Sequence, residues 1–258
     1  MIFVLHFLVN IWLADSIEID CNYELNTWPS LGYHYVCFVK NVRNTTINEV
    51  TSVDGTHIEG YSNDDVKALN WQLHAVATIP SNFSAFFPNL RGVQFLQAGL
   101  QRISSNDLKQ FPNLRLLAIS RNRLTRLDGK LFQETPNLNW IKFQYNSLRN
   151  VSQYLLDDLK DLELADFRNS GCLDFEAQNL NDFEELKRLL PINCPLNGEP
   201  VRITTTTEIP ATECSSSCLD LRLENQKLRE QLLSIEKTAN DRFSEIEKQL
   251  RQLNSRAG

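Results

Sequence analysis

Histidine is scarce in this chain, with four in 258 residues, and none sits at a spacing that pairs it with another metal ligand or base. Glycine-rich phosphate loops are missing, and the carboxylates are scattered rather than convergent. An enzyme needs titratable groups gathered in one pocket, so a non-catalytic protein without cofactor or metal is expected. Ser52, Asp54 and His57 are local neighbours beside a turn, with no nucleophile elbow around them, which is ordinary turn chemistry. The formal charge of −6 comes with no basic stripe and no aromatic-interleaved basic patch, which argues against nucleic acid. Beyond the first 16 residues there is no long apolar run, so no membrane anchor is expected in the mature protein.

What the chain does have is a pattern recurring every 24 residues between Val66 and Ser170. The frame L-x-x-L-x-L-x-x-N-x-L-x-x-L reads Leu114, Leu117, Ile119, Asn122, Leu124, Leu127 and again Leu138, Ile141, Phe143, Asn146, Leu148, Val151. One step back gives Leu90, Val93, Phe95, Ala98, Leu100, Ile103; two steps give Val66, Leu69, Trp71, His74, Val76, Ile79. One step forward gives Leu162, Ala165, Phe167, Ser170, Cys172. The run-in recurs as well, as Phe87-Pro88-Asn89-Leu90, Phe111-Pro112-Asn113-Leu114 and Thr135-Pro136-Asn137-Leu138. This is the signature of a leucine-rich repeat.

The spacing has a physical reason. Alternating apolar and polar residues over the fourth to sixth positions make a short strand with one buried face. The apolar eleventh and fourteenth positions fold back beneath it. The ninth-position asparagine turns inward, so that its amide satisfies backbone groups where the coil bends. One copy cannot bury enough apolar surface to offset the entropy of ordering it, whereas stacked copies bury one another. His74 and Ser170 are expected to stand in partly for asparagine; at Ala98 a water or a looser turn is expected.

Either side of the repeats the chain changes character. Residues 1–16 read as a secretory signal, with cleavage after Ser16; a buried strand or a membrane anchor is the competing reading. Sequons at Asn44, Asn82 and Asn150 are candidate glycosylation sites and accord with export. Six cysteines in an exported chain are expected to be bonded, although six allow fifteen pairings. Cys21 and Cys37 bracket a segment that would cap the first repeat, within an N-terminal cap over 17–65 whose strands turn at Asp54-Gly55. Cys172 and Cys194 flank a helix-spaced segment, Asn179–Leu190, and are paired as the C-terminal cap over 172–195. The repeats then occupy 66–171. Residues 196–213, with four consecutive threonines and two prolines, form a linker.

From Cys214 apolar positions step by four and three through Cys218, Leu221, Asn225, Leu228, Leu232, Ile235 and Ala239, a heptad seam. After Phe243 it continues through Ile246, Leu250 and Leu253, with one stutter. A coiled coil over 214–258 follows, and Asn225 at a core position favours a parallel pair in one register. Cys214 and Cys218 head the seam at core positions, where partners face each other at bridging distance, so interchain disulfides are expected. The competing reading is one solvated helix packed back on the repeats.

A signal segment, capped repeats of the F-P-N-L…L-x-x-L-x-L-x-x-N kind, a cysteine pair before a helix and a terminal coiled coil together resemble the leucine-rich immune proteins of mosquitoes and related flies. That resemblance implies a disulfide-linked homo- or heterodimer circulating in body fluid. It implies Cys214 and Cys218 as the dimer bond, the seam from Leu221 to Leu253 as the dimer and partner helix, and a complement-like thioester protein as partner.

The expected architecture is therefore an α/β leucine-rich repeat solenoid, a short horseshoe with disulfide caps, a linker and a C-terminal coiled-coil helix. Side chains between the buried strand positions should line its concave face. Leu116, Trp140 and Leu164 form one column; Gln94 and Lys142 fall in the next; Arg168 in a third; Arg121 and Tyr145 in a fourth. Trp140, Tyr145, Lys142, Arg121, Leu116, Gln94 and Arg168 are the candidate partner-binding residues, since aromatic and basic groups dominate hot spots. Five strands about 4.8 Å apart give a face of roughly 400 Å², short of the ~800 Å² per partner of an ordinary interface. The function expected is a secreted recognition protein of humoral immunity binding a protein partner. A matrix or adhesion protein, or a soluble receptor-like ectodomain that sequesters a signalling ligand, would use the same repeats.

Overall fold

The computed structural model describes residues 16–43 and 48–196. All belong to the first of two compact units, Met1–Arg202; the second, Ile203–Gly258, is not among the described residues. The signal segment up to residue 15, Asn44, the linker after Leu196, Cys214, Cys218 and the coiled-coil seam therefore lie outside them.

The chain opens with a long antiparallel hairpin, β1 (Ile17–Trp28) and β2 (Gly32–Arg43). Its turn runs through Pro29, Ser30 and Leu31, with Ser30 left-handed and the Leu31 amide donating to the Trp28 carbonyl. This corrects the turn expected at Asp54-Gly55. β3 (Val50–Asp54) ends there, but it pairs parallel with β1 rather than folding back as a hairpin. Gly55 is needed for another reason: a Cβ on it would lie 2.3 Å from the Cys21 carbonyl oxygen. Cys21 and Cys37 bridge the two hairpin strands.

The repeats follow. β4 (Val66–Gln72), a helical turn α1 (Phe83–Phe86), β5 (Gly92–Leu96), a second turn α2 (Ser105–Leu108) and β6 (Leu116–Ala118) lead on. Next come β7 (Arg126–Leu127), β8 (Trp140–Lys142), β9 (Asn150–Val151) and β10 (Leu164–Asp166). β2, β4, β5, β6, β8 and β10 run parallel, in a register that places each copy of the frame beside the next. β11 (Glu176–Ala177) closes the far edge antiparallel to β10, giving a nine-stranded sheet. β7 and β9 form a separate two-stranded sheet. The chain then enters α3 (Leu180–Asn193), capped by the Asn179 side chain, which accepts from the Asp182 amide. Leu186 and Leu190 of α3 are buried, and Cys172–Cys194 ties its end to the last repeat.

The frame fixes the core. Its first, fourth, sixth, eleventh and fourteenth positions are buried throughout, from Val66 to Val151. Aromatic rings make contact along the core, with Trp71 to Phe95 at 5.5 Å and Phe143 to Phe167 at 5.6 Å between centroids. The residue before each Pro-Asn-Leu is buried too, as Phe87, Phe111 and Thr135, and so is Leu159 at the same place before Lys160-Asp161-Leu162.

The ninth-position ladder is built as expected where asparagine is present. Asn122 donates to the Phe95 carbonyl one copy back at 2.8 Å and accepts from the Ala98 and Leu100 amides at 3.0 and 3.1 Å. Asn146 does the same for Ile119 and Leu124, at 2.7 and 3.1 Å. Ser170 reaches the Phe143 carbonyl, and His74 Nε2 reaches Val39 in β2 at 3.3 Å. At Ala98 the expectation of a looser turn is corrected. The Val76 amide donates instead to the Ala98 backbone carbonyl at 2.8 Å, as the Leu148 amide does to that of Ser170 at 3.1 Å. Where no asparagine amide oxygen is present, the backbone supplies the acceptor.

Every residue before the ladder position is left-handed: Leu73, Gln97, Arg121, Tyr145 and Asn169 have φ between 53 and 65°. Only asparagine among these takes that conformation readily, and the others cost about 1 kcal/mol each. Its recurrence in all five copies makes it the price of aiming the ninth side chain inward rather than a mark of one functional site.

Two substitutions test this packing. Asn122→Ala should lower the stability by about 3 kcal/mol in urea unfolding, because buried amide and carbonyl groups lose their partner. Thr135 is fully buried, and its hydroxyl has no hydrogen-bond partner among the described residues. Thr135→Val should therefore raise stability, by about 1 kcal/mol or more.

Candidate functional site

The open face of the sheet is the side turned away from the main core, and it is less open than the repeats alone imply. The end of the hairpin curls over it. Trp28 and Leu31 pack against Ala68, Leu116 and Ala118, with Val36, Phe38 and Trp140 completing this second apolar cluster. The fit depends on Gly92, at the third position of its copy: a Cβ there would lie 2.6 Å from Leu31 Cδ1 and 2.9 Å from Trp28 Cε3. Glycine inside a strand often marks such a close approach, so Gly92, together with the small Ala68, was the signal that could have revealed the cover. Leu116 is thereby removed from the exposed patch. It is 2% exposed and packs in the cluster with Trp28, which corrects its assignment as a surface contact.

The remaining candidates form two pairs rather than one patch. On β8 the half-buried Trp140 donates through Nε1 to Glu163 at 3.2 Å, and the Lys142 ammonium sits 5.1 Å from the Trp140 ring centre. At the other end of the strands the Arg121 guanidinium lies over the Tyr145 ring at 4.5 Å, with Tyr145 47% exposed. β8 ends at Lys142, and Tyr145 stands three residues further on in the left-handed conformation. Between the pairs runs a polar row. Ser120 donates to Gln144, Gln144 donates to Asp166, and Arg168 binds both the buried Asp166, at 2.6 Å, and Glu176, at 3.0 Å. Arg168 is thus anchored by two carboxylates, and hydrogen bonding to Asp166 raises its already high pKa.

Gln94 is half-buried, its amide donating to Asn70 at 3.5 Å. It lies in a cavity of about 210 Å³ on the open face, between the curled hairpin end at Asn26–Pro29 and the strands carrying Asn70, Gln94 and Lys142.

Elsewhere the expected residues are placed as follows. Asn82 and Asn150 are half-buried, and their amides donate to the Val50 and Pro195 carbonyls. Ser52, Asp54 and His57 form no relay: His57 packs on the Tyr23 ring at 4.0 Å and bonds the Tyr35 hydroxyl through Nδ1, while Asp54 pairs with Arg43. No group of three potential metal ligands occurs among the described residues, and none of their helices is long and apolar enough to cross a membrane.

Residues 112–164 match the leucine rich repeat family, and the chain carries a leucine-rich repeat domain there. No curated protein matches the sequence. Among solved structures, a chain of the Toll–Spatzle complex, described as a molecular hub in Drosophila development and innate immunity, is similar at 18% identity with a TM-score of 0.39. The match covers 48% of this chain and 17% of that one, so this chain spans well under two thirds of the length of the protein it matches. The class defined by the fold is a leucine-rich repeat protein with cysteine-bridged ends, a domain type that binds proteins.

Tyr23 and Tyr35 give this end of the molecule a testable pH response. Burial pushes both phenols above the usual tyrosine range, as each charged form would lose its hydration. The folded state thus holds the neutral phenols. Their contribution is complete below the ordinary tyrosine pKa of about 10 and fades as pH climbs through the folded values. In an alkaline titration followed by phenolate absorbance, two of the six tyrosines should ionise late and together with unfolding of the cap. Tyr23→Phe should remove one of the two.

Proposed function

We propose that this chain is a secreted, non-catalytic recognition protein that captures a protein partner on the open face of its repeat sheet and presents that face twice through a C-terminal coiled coil. The observation that carries the reading is the pair of cation–aromatic contacts on the parallel sheet, the exposed Arg121 over Tyr145 and the half-buried Lys142 over Trp140, with Lys142 also lining the cavity. Aromatic rings braced by a cation lose little freedom on binding and bury large area, which is how hot spots gain affinity. The bridged cysteines at both ends favour an oxidising compartment, in line with residues 1–16 acting as a secretory signal.

The hairpin cover narrows a face already small for a stable one-to-one complex. Avidity from two copies offsets this, and the Cys214 and Cys218 thiols at the head of the heptad seam are suited to lock them together. Resemblance to leucine-rich immune proteins supports a role in humoral immunity, with a complement-like thioester protein as the candidate partner.

The test is capture from body fluid under non-reducing conditions, read by mass spectrometry. The oxidised full chain should migrate at twice its monomer mass and retain a protein partner. Deleting residues 214–258 should weaken capture far more than Trp140→Ala does. A monomeric band, or equal losses from the two changes, contradicts the proposal.

A further inference from the structure

The cavity on the open face has a chemistry of its own. Its floor is one register line across four parallel strands: Asn70 pairs with Gln94, Gln94 with Ala118, and Ala118 with Lys142. Phe38 of β2 extends the line by one strand, for a run of roughly 19 Å at about 4.8 Å per strand. The curled hairpin end forms one wall. A trough of that length matches about six residues of extended polypeptide at about 3.3 Å each, while its volume of about 210 Å³ admits side chains of one segment and no folded surface.

Polarity changes along the line. Phe38, beside Trp28, makes one end apolar. In the middle, Gln94 donates once to Asn70, which leaves the Asn70 amide hydrogens and the Gln94 oxygen with no partner among the described residues. One open donor and one open acceptor are what a passing peptide group requires. The other end is Lys142, which makes no ion pair among the described residues. Asp166, next to it in the sheet, is held by Arg168 and Gln144, and Glu163 accepts from Trp140. The half-buried Lys142, its ammonium against the Trp140 ring, is thus left without a counter-ion among the described residues, in a chain whose formal charge is −6.

We propose that this trough binds a short extended segment of a protein partner, with an apolar residue against Phe38, a peptide group bridged by Asn70 and Gln94, and an acidic side chain at Lys142. The proposal rests on the recognition reading above and names the ligand chemistry of the face. An acidic tip is selected because a basic or neutral one would leave the ammonium desolvated and unpaired.

The test uses the oxidised full chain and a phage-displayed hexapeptide library, followed by anisotropy with labelled synthetic copies of the enriched peptides. Enriched peptides should share one acidic residue on the far side of an apolar one. Lys142→Glu should weaken them by about ten-fold or more and strengthen a version with lysine at the acidic position. Gln94→Leu should weaken both versions, and Lys130→Glu, distant from the trough, should change neither. No enrichment, enrichment without a shared acid, or indifference to Lys142→Glu overturns the proposal, as does preference for a sulfated oligosaccharide at the same residues. Partner capture separates the two readings. Loss with Arg121→Ala or Tyr145→Ala but not with Lys142→Glu sinks the trough alone, whereas indifference to all three sinks recognition by this face.

Discussion

The structure depends on one buried bend repeated along the chain: at the ninth position of four of the five copies a side chain turns inward to a backbone carbonyl of the preceding coil, and at Ala98 the backbone carbonyl takes its place. Asn122 and Asn146 do this with amides, Ser170 with a hydroxyl and His74 with a ring nitrogen. Without that contact each bend would bury unpaired backbone groups, and the copies would not close onto one another at strand spacing. The residue before the ladder position is left-handed in every copy, that of Ala98 included, and this fixes where Arg121 and Tyr145 stand. The side chains on the open face are therefore those the ladder leaves over.

Both ends of the solenoid solve the same problem by different means. At the start, a long hairpin continues the sheet, so that β4 meets β2 rather than water, and the Tyr23–His57 and Tyr35–Tyr61 ring contacts pack behind it. At the finish, β11 pairs with β10 and α3 buries Leu186 and Leu190. The hairpin is longer than a cap requires, and its surplus folds over the open face. That surplus turns a flat sheet into a trough with one wall.

Much of this was legible in the residues. The 24-residue frame located the strands, the buried positions and the ladder, and the cysteine spacing separated two intrachain bridges, because each of these features recurs or is local. Three features were not legible. The hairpin turn at Pro29–Leu31 carries weaker turn chemistry than Asp54-Gly55, and only the pairing of β3 with β1 decides between them. The cover over Leu116 comes from residues about 90 positions away in the chain, signalled by no more than the missing side chain of Gly92 and the small Ala68. The backbone acceptor at Ala98 could not be read from a side chain that has no polar atom.

The central claim is that recognition uses the open face between the hairpin wall and β10. Hydroxyl-radical footprinting of the oxidised chain, alone and with its captured partner, tests it directly. Trp140 and Tyr145 should lose reactivity on binding, while Tyr33 on the hairpin and the exposed Leu180 of α3 keep theirs. Protection confined to Tyr33 or Leu180, with Trp140 and Tyr145 unchanged, would contradict the account.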